Sequence, residues 1–252
     1  MTPYPAQASG QQHVLTHSDG SNLRAGPPRL VLVRHAQASL GSSDYDRLSP
    51  RGRMQARELA RRLDPLLEDQ PLIFAGTLRR HRQTLSALGA GEVQFSPDLD
   101  EFSTDGLIRA ALARAESGAL PQPPRHQLLD PVRYLPELLD WFPAVLAAWQ
   151  NGELDESRIG TWSDFRQRVL RPLAHWRTAL SSGRSVIVVT SAGVVATLAS
   201  ELAGHDRAWQ RSLAVGLYNA SVTELRSDGD GWRLACCNCI AHLEDRAQHT
   251  LA

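Results

Sequence analysis

At 252 residues, 42% hydrophobic and 21% charged with zero formal net charge, the chain holds enough material for one large α/β domain or two small ones. The charge balance gives no bulk attraction to nucleic acid or to an anionic membrane surface. All 27 basic residues are arginine, so Schiff-base lysine chemistry and a Walker-type phosphate loop are excluded.

Residues 1–28 are polar, rich in Gly, Pro, Ser and Gln, and without periodicity, which reads as a disordered leader. They lack the apolar core of a signal peptide, and no later apolar run is long enough to cross a bilayer, so the expected location is cytoplasmic. Strands and helices then alternate over 29–245, the extent expected of a single domain. The first strand, 29–34, carries Leu30, Val31, Leu32 and Val33 in an unbroken apolar run, the habit of a strand buried on both faces. It runs straight into Arg34 and His35. Either these residues merely reach water, or they meet an anion at the carboxyl end of a parallel strand.

A helix follows. Ser49 is suited to the N-cap, Pro50 to the first turn, and Ala56, Leu59, Ala60 and Leu63 share one face. Further strands are expected at 71–75, 92–96, 185–190, 220–226 and 232–237, the last two forming a hairpin closed by "SDGDG". Residues 103–160 are irregular and broken by "GALPQPPRHQ"; an insertion of this kind is expected to cap the strand ends. A single helix is expected over 162–180, with Trp162, Phe165, Val169, Leu173, Trp176 and Leu180 on its core face. The expected fold is an α/β three-layer α/β/α sandwich with a mostly parallel central sheet, a helical cap insertion and a C-terminal hairpin. Cys236, Cys237 and Cys239 form no disulfide framework and lack the remaining ligands of a zinc site, so no metal and no cofactor are expected.

The chemistry concentrates at strand ends. Besides Arg34-His35, "GTLRRHRQT" (76–84) leads from a strand into a helix, and "SAG" (191–193) does the same before Val194, Val195, Leu198, Ala199 and Leu202. If these ends converge, guanidinium forks, an imidazole and helix-terminal N–H groups form one anion site. The surrounding cations would keep the imidazole neutral and therefore nucleophilic.

These segments resemble the histidine phosphatase superfamily, the phosphoglycerate mutase-like fold. "LVRHAQAS" is similar to the RHG signature, with Ala36 in place of Gly; "LSPRGRMQA" to L-S/T-x-x-G-x-x-Q-A; "LRRHRQT" to L-x-R-A-x-Q-T; and "DLDEF" to an L-x-E stretch. "TWSDFRQRV" and the segment from "NASVTELR" to His242-Leu243 extend the likeness, in order, over about 29–243. One position departs: where the family reads V-S-H-G-G, this chain has Thr190-Ser191-Ala192-Gly193, so Ser191 replaces the second catalytic histidine.

The resemblance implies phosphomonoester hydrolysis on a small phosphorylated metabolite through a phosphohistidine on His35. Arg34 and Arg80 would clamp the phosphoryl oxygens, and Glu101 would protonate the leaving alcohol and then activate water. Gln37, Ser191 and Ala192 would complete the phosphate site, Gln37 and Ser39 having the alternative of capping the next turn. Arg80 has the alternative of a solvated helix charge, and Glu101 shares its loop with Asp98, Asp100 and Asp105. Losing one preorganised donor, as at Ser191, typically costs on the order of 10²–10³ in rate. A phospho-ligand-binding domain with weak or no turnover is therefore an alternative reading. Another is a serine hydrolase built on Ser191 with Asp206 and His242, although Val189 stands where the nucleophile elbow wants Gly. No basic cluster in 103–160 offers a second phosphate site, so hydrolysis is preferred to mutase chemistry. No nucleic-acid or membrane partner is expected, and oligomeric state is not legible.

Overall fold

The central strands are apolar on both sides because both sides are covered. The computed structural model describes residues 26–42, 44–116, 118, 120–227 and 231–251. Most of the expected leader, 1–25, and residues 228–230 of the hairpin loop lie outside the described residues. In β1 (Leu30–Arg34), Leu30 and Leu32 pack into one core and Val31 and Val33 into another; in β4 (Val186–Thr190), Val186 and Val188 alternate with Ile187 and Val189 in the same way. The sheet order is β3-β2-β4-β1-β5-β6, with β2 at Leu72–Ala75, β3 at Val93–Phe95, β5 at Val222–Ser227 and β6 at Trp232–Cys239. β3, β2, β4 and β1 run parallel, and β5 and β6 form the antiparallel edge.

One face is covered by α1 (Pro50–Leu67) and α2 (Arg79–Ala87) through Ala56, Leu59, Leu63 and Leu85. The expected cap of α1 is present, the Ser49 hydroxyl accepting from Gly52 N at 2.9 Å. The other face carries α3 (Thr104–Ala115), α5 (Leu135–Gln150), α6 (Trp162–Leu170), α7 (Leu173–Ser181) and α8 (Ala192–Ala203), which share a core containing Leu107, Trp149, Phe165, Trp176 and Leu198. The short α4 (Arg125–Leu129) precedes α5, and α9 (Arg207–Gly216) follows α8. Both ends of the 103–160 insertion, α3 and α5, are thus built into the core, while its middle rims a cavity through Val132, Leu135 and Leu139.

The helix expected over 162–180 is two helices. Pro172 has no N–H to continue the ladder, and the chain breaks between Leu170 and Leu173. Arg171 and Pro172 nevertheless keep right-handed helical angles, so Trp162, Phe165 and Val169 before the break and Trp176 after it reach the same core.

Registration fixes what meets at the carboxyl edge. Arg34 pairs with Thr190, and Ala75 pairs with Val189. The next residues along the three strands, His35, Ser191 and Gly76, therefore leave the sheet side by side.

Candidate active site

His35 continues the ladder by one residue on each side, its N–H donating to Thr190 O at 2.8 Å and its carbonyl accepting from Ala220 N at 3.1 Å. With the backbone clamped, the ring is oriented by Nδ1, which lies 2.8 Å from Ala36 O. A carbonyl can only accept, so Nδ1 carries the proton and Nε2 presents its lone pair. That lone pair faces Arg80, whose Nε lies 3.1 Å away. Arg80 also reaches Asp46 Oδ1 through Nη1 at 2.7 Å and Ser191 Oγ through Nη2 at 3.4 Å. Arg34 donates through Nη1 to Leu217 O, and among the described residues its Nε has no hydrogen-bond partner. Both guanidinium groups are buried, 8% exposed, which is unusual for arginine and typical of an anion pocket.

Glu101 approaches from the loop after β3. Its Oε2 accepts from Gly193 N at 2.8 Å and Oε1 from Phe102 N at 3.2 Å. The approach depends on Gly193: a Cβ there would come within 2.4 Å of Glu101 Oε1 and 2.3 Å of Phe102 Cε1. Gly193 N is therefore engaged, and of the helix-terminal amides expected to serve an anion this one serves Glu101.

Burial sets the protonation states. Burial first, then the charges of Arg80 and Arg34, holds the His35 imidazole well below its ordinary range and neutral. Burial raises Glu101 against the lowering effects of Gly193 N and the arginines, so this carboxyl holds its proton more readily than an exposed one. Desolvation lowers Arg34 to about 10, which leaves it charged at neutral pH. A neutral imidazole, two guanidinium groups and a carboxyl of raised pKa thus lie close enough to act on one another.

The sequence matches the histidine phosphatase superfamily (branch 1) over residues 30–131 and 133–240. The chain belongs to the histidine phosphatase superfamily. Among solved structures, mycobacterial glucosyl-3-phosphoglycerate phosphatase complexed with VO3 is 25% identical, with a TM-score of 0.55 over 84% of this chain and 99% of that one. The same phosphatase with inorganic phosphate is 26% identical, with a TM-score of 0.53 over 85% and 99%. The alpha-ribazole phosphatase of Shigella flexneri, 18% identical with a TM-score of 0.55 over 84% and 96%, shares the fold. No curated protein matches the chain.

The superfamily motifs acquire physical reasons here. Gly52 permits close approach, since a Cβ would stand 2.1 Å from Gln37 O. Gln55, fully buried, accepts from Gln37 N at 2.8 Å and donates to Gln248 O and Thr250 Oγ1, tying the loop after His35 to the C-terminal tail. Thr84 Oγ1 accepts from Ala36 N at 3.1 Å and donates to Arg80 O at 2.8 Å. Ala36 can replace the signature glycine because its φ is not positive.

Gln37 and Ser39 border an open cavity of about 630 Å³ beside the site, walled also by Arg47, Arg51, Val132, Leu135, Leu139 and Leu251. The Gln37 side chain meets the α1 cap, its Oε1 accepting from Ser49 Oγ at 2.8 Å. Ser191 closes β4 and precedes Ala192, the first residue of α8, without capping the helix through its side chain.

The expected serine-hydrolase partners are elsewhere. Asp206 caps α9 by accepting from Trp209 N at 2.8 Å, and His242 lies by Arg62 and Glu58 of α1. Sequence reasoning missed the imidazole that does meet Ser191: His81, whose Nε2 lies 2.8 Å from Oγ. It also missed Asp46, which binds Arg80 and caps α2 by accepting from Arg79 N at 2.8 Å. His81 sits inside the quoted "LRRHRQT", where the pattern carries Ala; that exchange was its signal. Asp46 had none. Among the described residues no group of three or more His, Cys, Asp or Glu could hold a metal ion, and no helix is long and apolar enough to cross a membrane.

Proposed function

We propose that this chain hydrolyses small phosphomonoesters through a phosphohistidine on His35. The observation that carries the reading is the His35 ring: its tautomer is set by Ala36 O, and its unprotonated Nε2 accepts from Arg80 Nε at 3.1 Å, with buried Arg34 close enough to act on the ring.

Nε2 attacks phosphorus in line while the ester P–O bond breaks, and Glu101 gives its proton to the departing alcohol oxygen. Arg34 and Arg80 balance the charge on the equatorial oxygens, Arg80 exchanging its contact with His35 for the phosphoryl group. Water then attacks phosphorus, its proton passes to Glu101, and the P–N bond breaks to restore Nε2 and release inorganic phosphate. The alcohol occupies the cavity beside Gln37, whose apolar wall of Val132, Leu135 and Leu139 accommodates a carbon-rich leaving group.

A radiolabelled phosphomonoester quenched without acid leaves an acid-labile, base-stable label on the parent and none on His35→Ala. Undiminished label on His35→Ala overturns the assignment. Binding of inorganic phosphate with neither label nor turnover would establish instead a phospho-ligand-binding domain, the reading favoured by serine at position 191. The Ser191–His81 contact favours a hydrolase reading, but two features oppose it. His81 Nδ1 lies 3.8 Å from Asp100, beyond an orienting hydrogen bond, and Gly193 N is given to Glu101. Hydrolysis of p-nitrophenyl acetate lost in Ser191→Ala, with phosphatase activity intact, would reverse that judgement.

A further inference from the structure

Arg80 meets its surroundings through all three guanidinium nitrogens, and they have unequal partners. Nε donates to His35 Nε2 at 3.1 Å, and Nη2 to Ser191 Oγ at 3.4 Å. These two nitrogens carry the parallel N–H groups of one guanidinium edge, the kind that takes two oxygens of a phosphate at once. The third, Nη1, donates to Asp46 Oδ1 at 2.7 Å. Asp46 makes a second bond, its Oδ2 accepting at 2.8 Å from the N–H of Arg79, the first residue of α2. One carboxylate thus ties down the start of the helix and the head group of the residue that follows. Asp44 pairs with Arg79 Nη1 at 2.7 Å, which gives that neighbouring guanidinium its own partner and leaves Asp46 to Arg80. Arg80 Cζ also lies over the Tyr45 ring, 5.6 Å from its centroid.

We infer that Asp46 is a positioning residue for phosphoryl transfer: by holding Nη1 it turns the Nε–Nη2 edge of Arg80 toward the phosphoryl group that moves to and from His35. The inference rests on the phosphohistidine reading of His35. An arginine side chain is rich in rotamers, and α2 fixes only where this one begins. A guanidinium without an anchor can meet an anion through different pairs of its five N–H groups. With Nη1 occupied, the edge against His35 Nε2 and Ser191 Oγ is the one left. Both contacts of that edge are to uncharged groups, which a phosphoryl oxygen can displace. Asp46 would be an inhibitory plug if its carboxylate sat on that edge, but it sits on the other nitrogen. The Asp46 side chain is 36% exposed, so the ion pair adds little to stability, and its worth lies in orientation. Misplacing a catalytic group by about 1 Å can cost on the order of 10²-fold in rate. Asp46 acts only through Arg80, and no covalent step is added.

Asp46→Asn and Asp46→Ala separate orientation from simple support of the helix. The readouts are p-nitrophenyl phosphate turnover, orthovanadate binding and urea unfolding. Asparagine keeps an oxygen for Arg79 N but loses the charge and the second acceptor that hold Nη1. Asp46→Asn is expected to unfold like the parent and yet to lose about tenfold in kcat and in orthovanadate affinity, as much as Asp46→Ala loses. On an Arg80→Ala background, Asp46→Asn is expected to lower kcat/KM by less than about twofold more.

An Asp46→Asn variant with parent activity overturns the inference. So does activity lost only in Asp46→Ala and in step with stability, for then the carboxylate serves α2 alone. A rise in turnover or in orthovanadate affinity in Asp46→Asn overturns it too, because the carboxylate would have been competing with the phosphoryl group for Arg80. Losses that multiply on the Arg80→Ala background also overturn it. Where Arg80→Ala is already as slow as His35→Ala, the two Asp46 variants decide by themselves. All of these outcomes leave the phosphohistidine reading intact so long as His35→Ala is inactive. A parent that neither hydrolyses p-nitrophenyl phosphate nor binds orthovanadate removes that reading and this inference together.

Discussion

Each group at the candidate site has a separate physical setting, and the settings predict separable phenotypes. Glu101 is buried, accepts two backbone N–H groups, and is raised above its usual range. Its proposed work is protonating a poor leaving group, so Glu101→Gln is expected to slow alkyl phosphates on the order of 10²–10⁴-fold, the usual worth of general acid catalysis. The effect on p-nitrophenyl phosphate, whose phenolate leaves unaided, is expected to be much smaller. Equal losses on both substrate types would refute the acid role; steady-state rates on a leaving-group series decide. Arg34 and His35 were legible because they interrupt an apolar strand as adjacent residues, a local anomaly. His81 was harder to read, because its meaning depends on Ser191, far away in sequence and brought alongside by β2 and β4. Both positions depart from the motifs that the sequence resembles, Ser191 where they imply histidine and His81 where they imply alanine, and the two side chains meet at 2.8 Å.

At the scale of elements, helix ends and strand ends are held by backbone approaches that tolerate no side chain. α8 starts where Glu101 binds Gly193 N, and a Cβ on Gly193 would meet Glu101 and Phe102 at 2.4 and 2.3 Å. Phe102 is wedged among Phe142, Trp149 and Phe165 and cannot easily retreat. Gly193→Ala is therefore expected to destabilise the fold by about 1–3 kcal/mol, the usual cost of overpacking. It is also expected to reduce turnover by displacing Glu101. Urea unfolding and kcat on one preparation check both; a stable variant with normal kcat would show that the contact is dispensable. The sequence was informative about α1, whose Ser49 and Pro50 announce its start, and about β1 and β4, whose apolar runs admit no other reading. It misled at 162–180, where one continuous core face runs through a proline that removes a hydrogen bond without redirecting the chain. Residues 103–160 were hard to parse because the buried face of α3 consists of Leu107, Ala111 and Ala115, mostly small side chains with weak periodic contrast.

For the whole molecule, the consequence of burying imidazoles is sensitivity to acid. The three-layer fold was readable from alternation alone, but which titratable groups it encloses was not, because burial is decided by packing between distant segments. His35 and His81 are held below the ordinary histidine range by burial and then by Arg80, and His242 is lowered to about 4 by burial and then by Arg62. When a histidine's folded pKa is depressed, the unfolded chain binds the proton first. Its contribution is complete above the unfolded value of 6.5 and is lost as pH falls towards the folded value. Glu101, raised in the fold, runs the other way and gains stability on acidification, but it is one group against three. Net stability is thus expected to fall from pH 7 to pH 5, by at most about 1.4 kcal/mol per pH unit for each histidine. His242 isolates the effect, because it takes no part in the proposed chemistry. His242→Leu is expected to keep phosphatase activity and to flatten the acid limb by one histidine's share, about 2 kcal/mol at pH 5 if the group is fully protected. Unfolding free energies from urea titrations at pH 7, 6 and 5 measure this directly. Parent and variant curves that stay parallel across the range would mean that His242 titrates alike in the folded and unfolded chains, and that the acid sensitivity arises at His35 and His81.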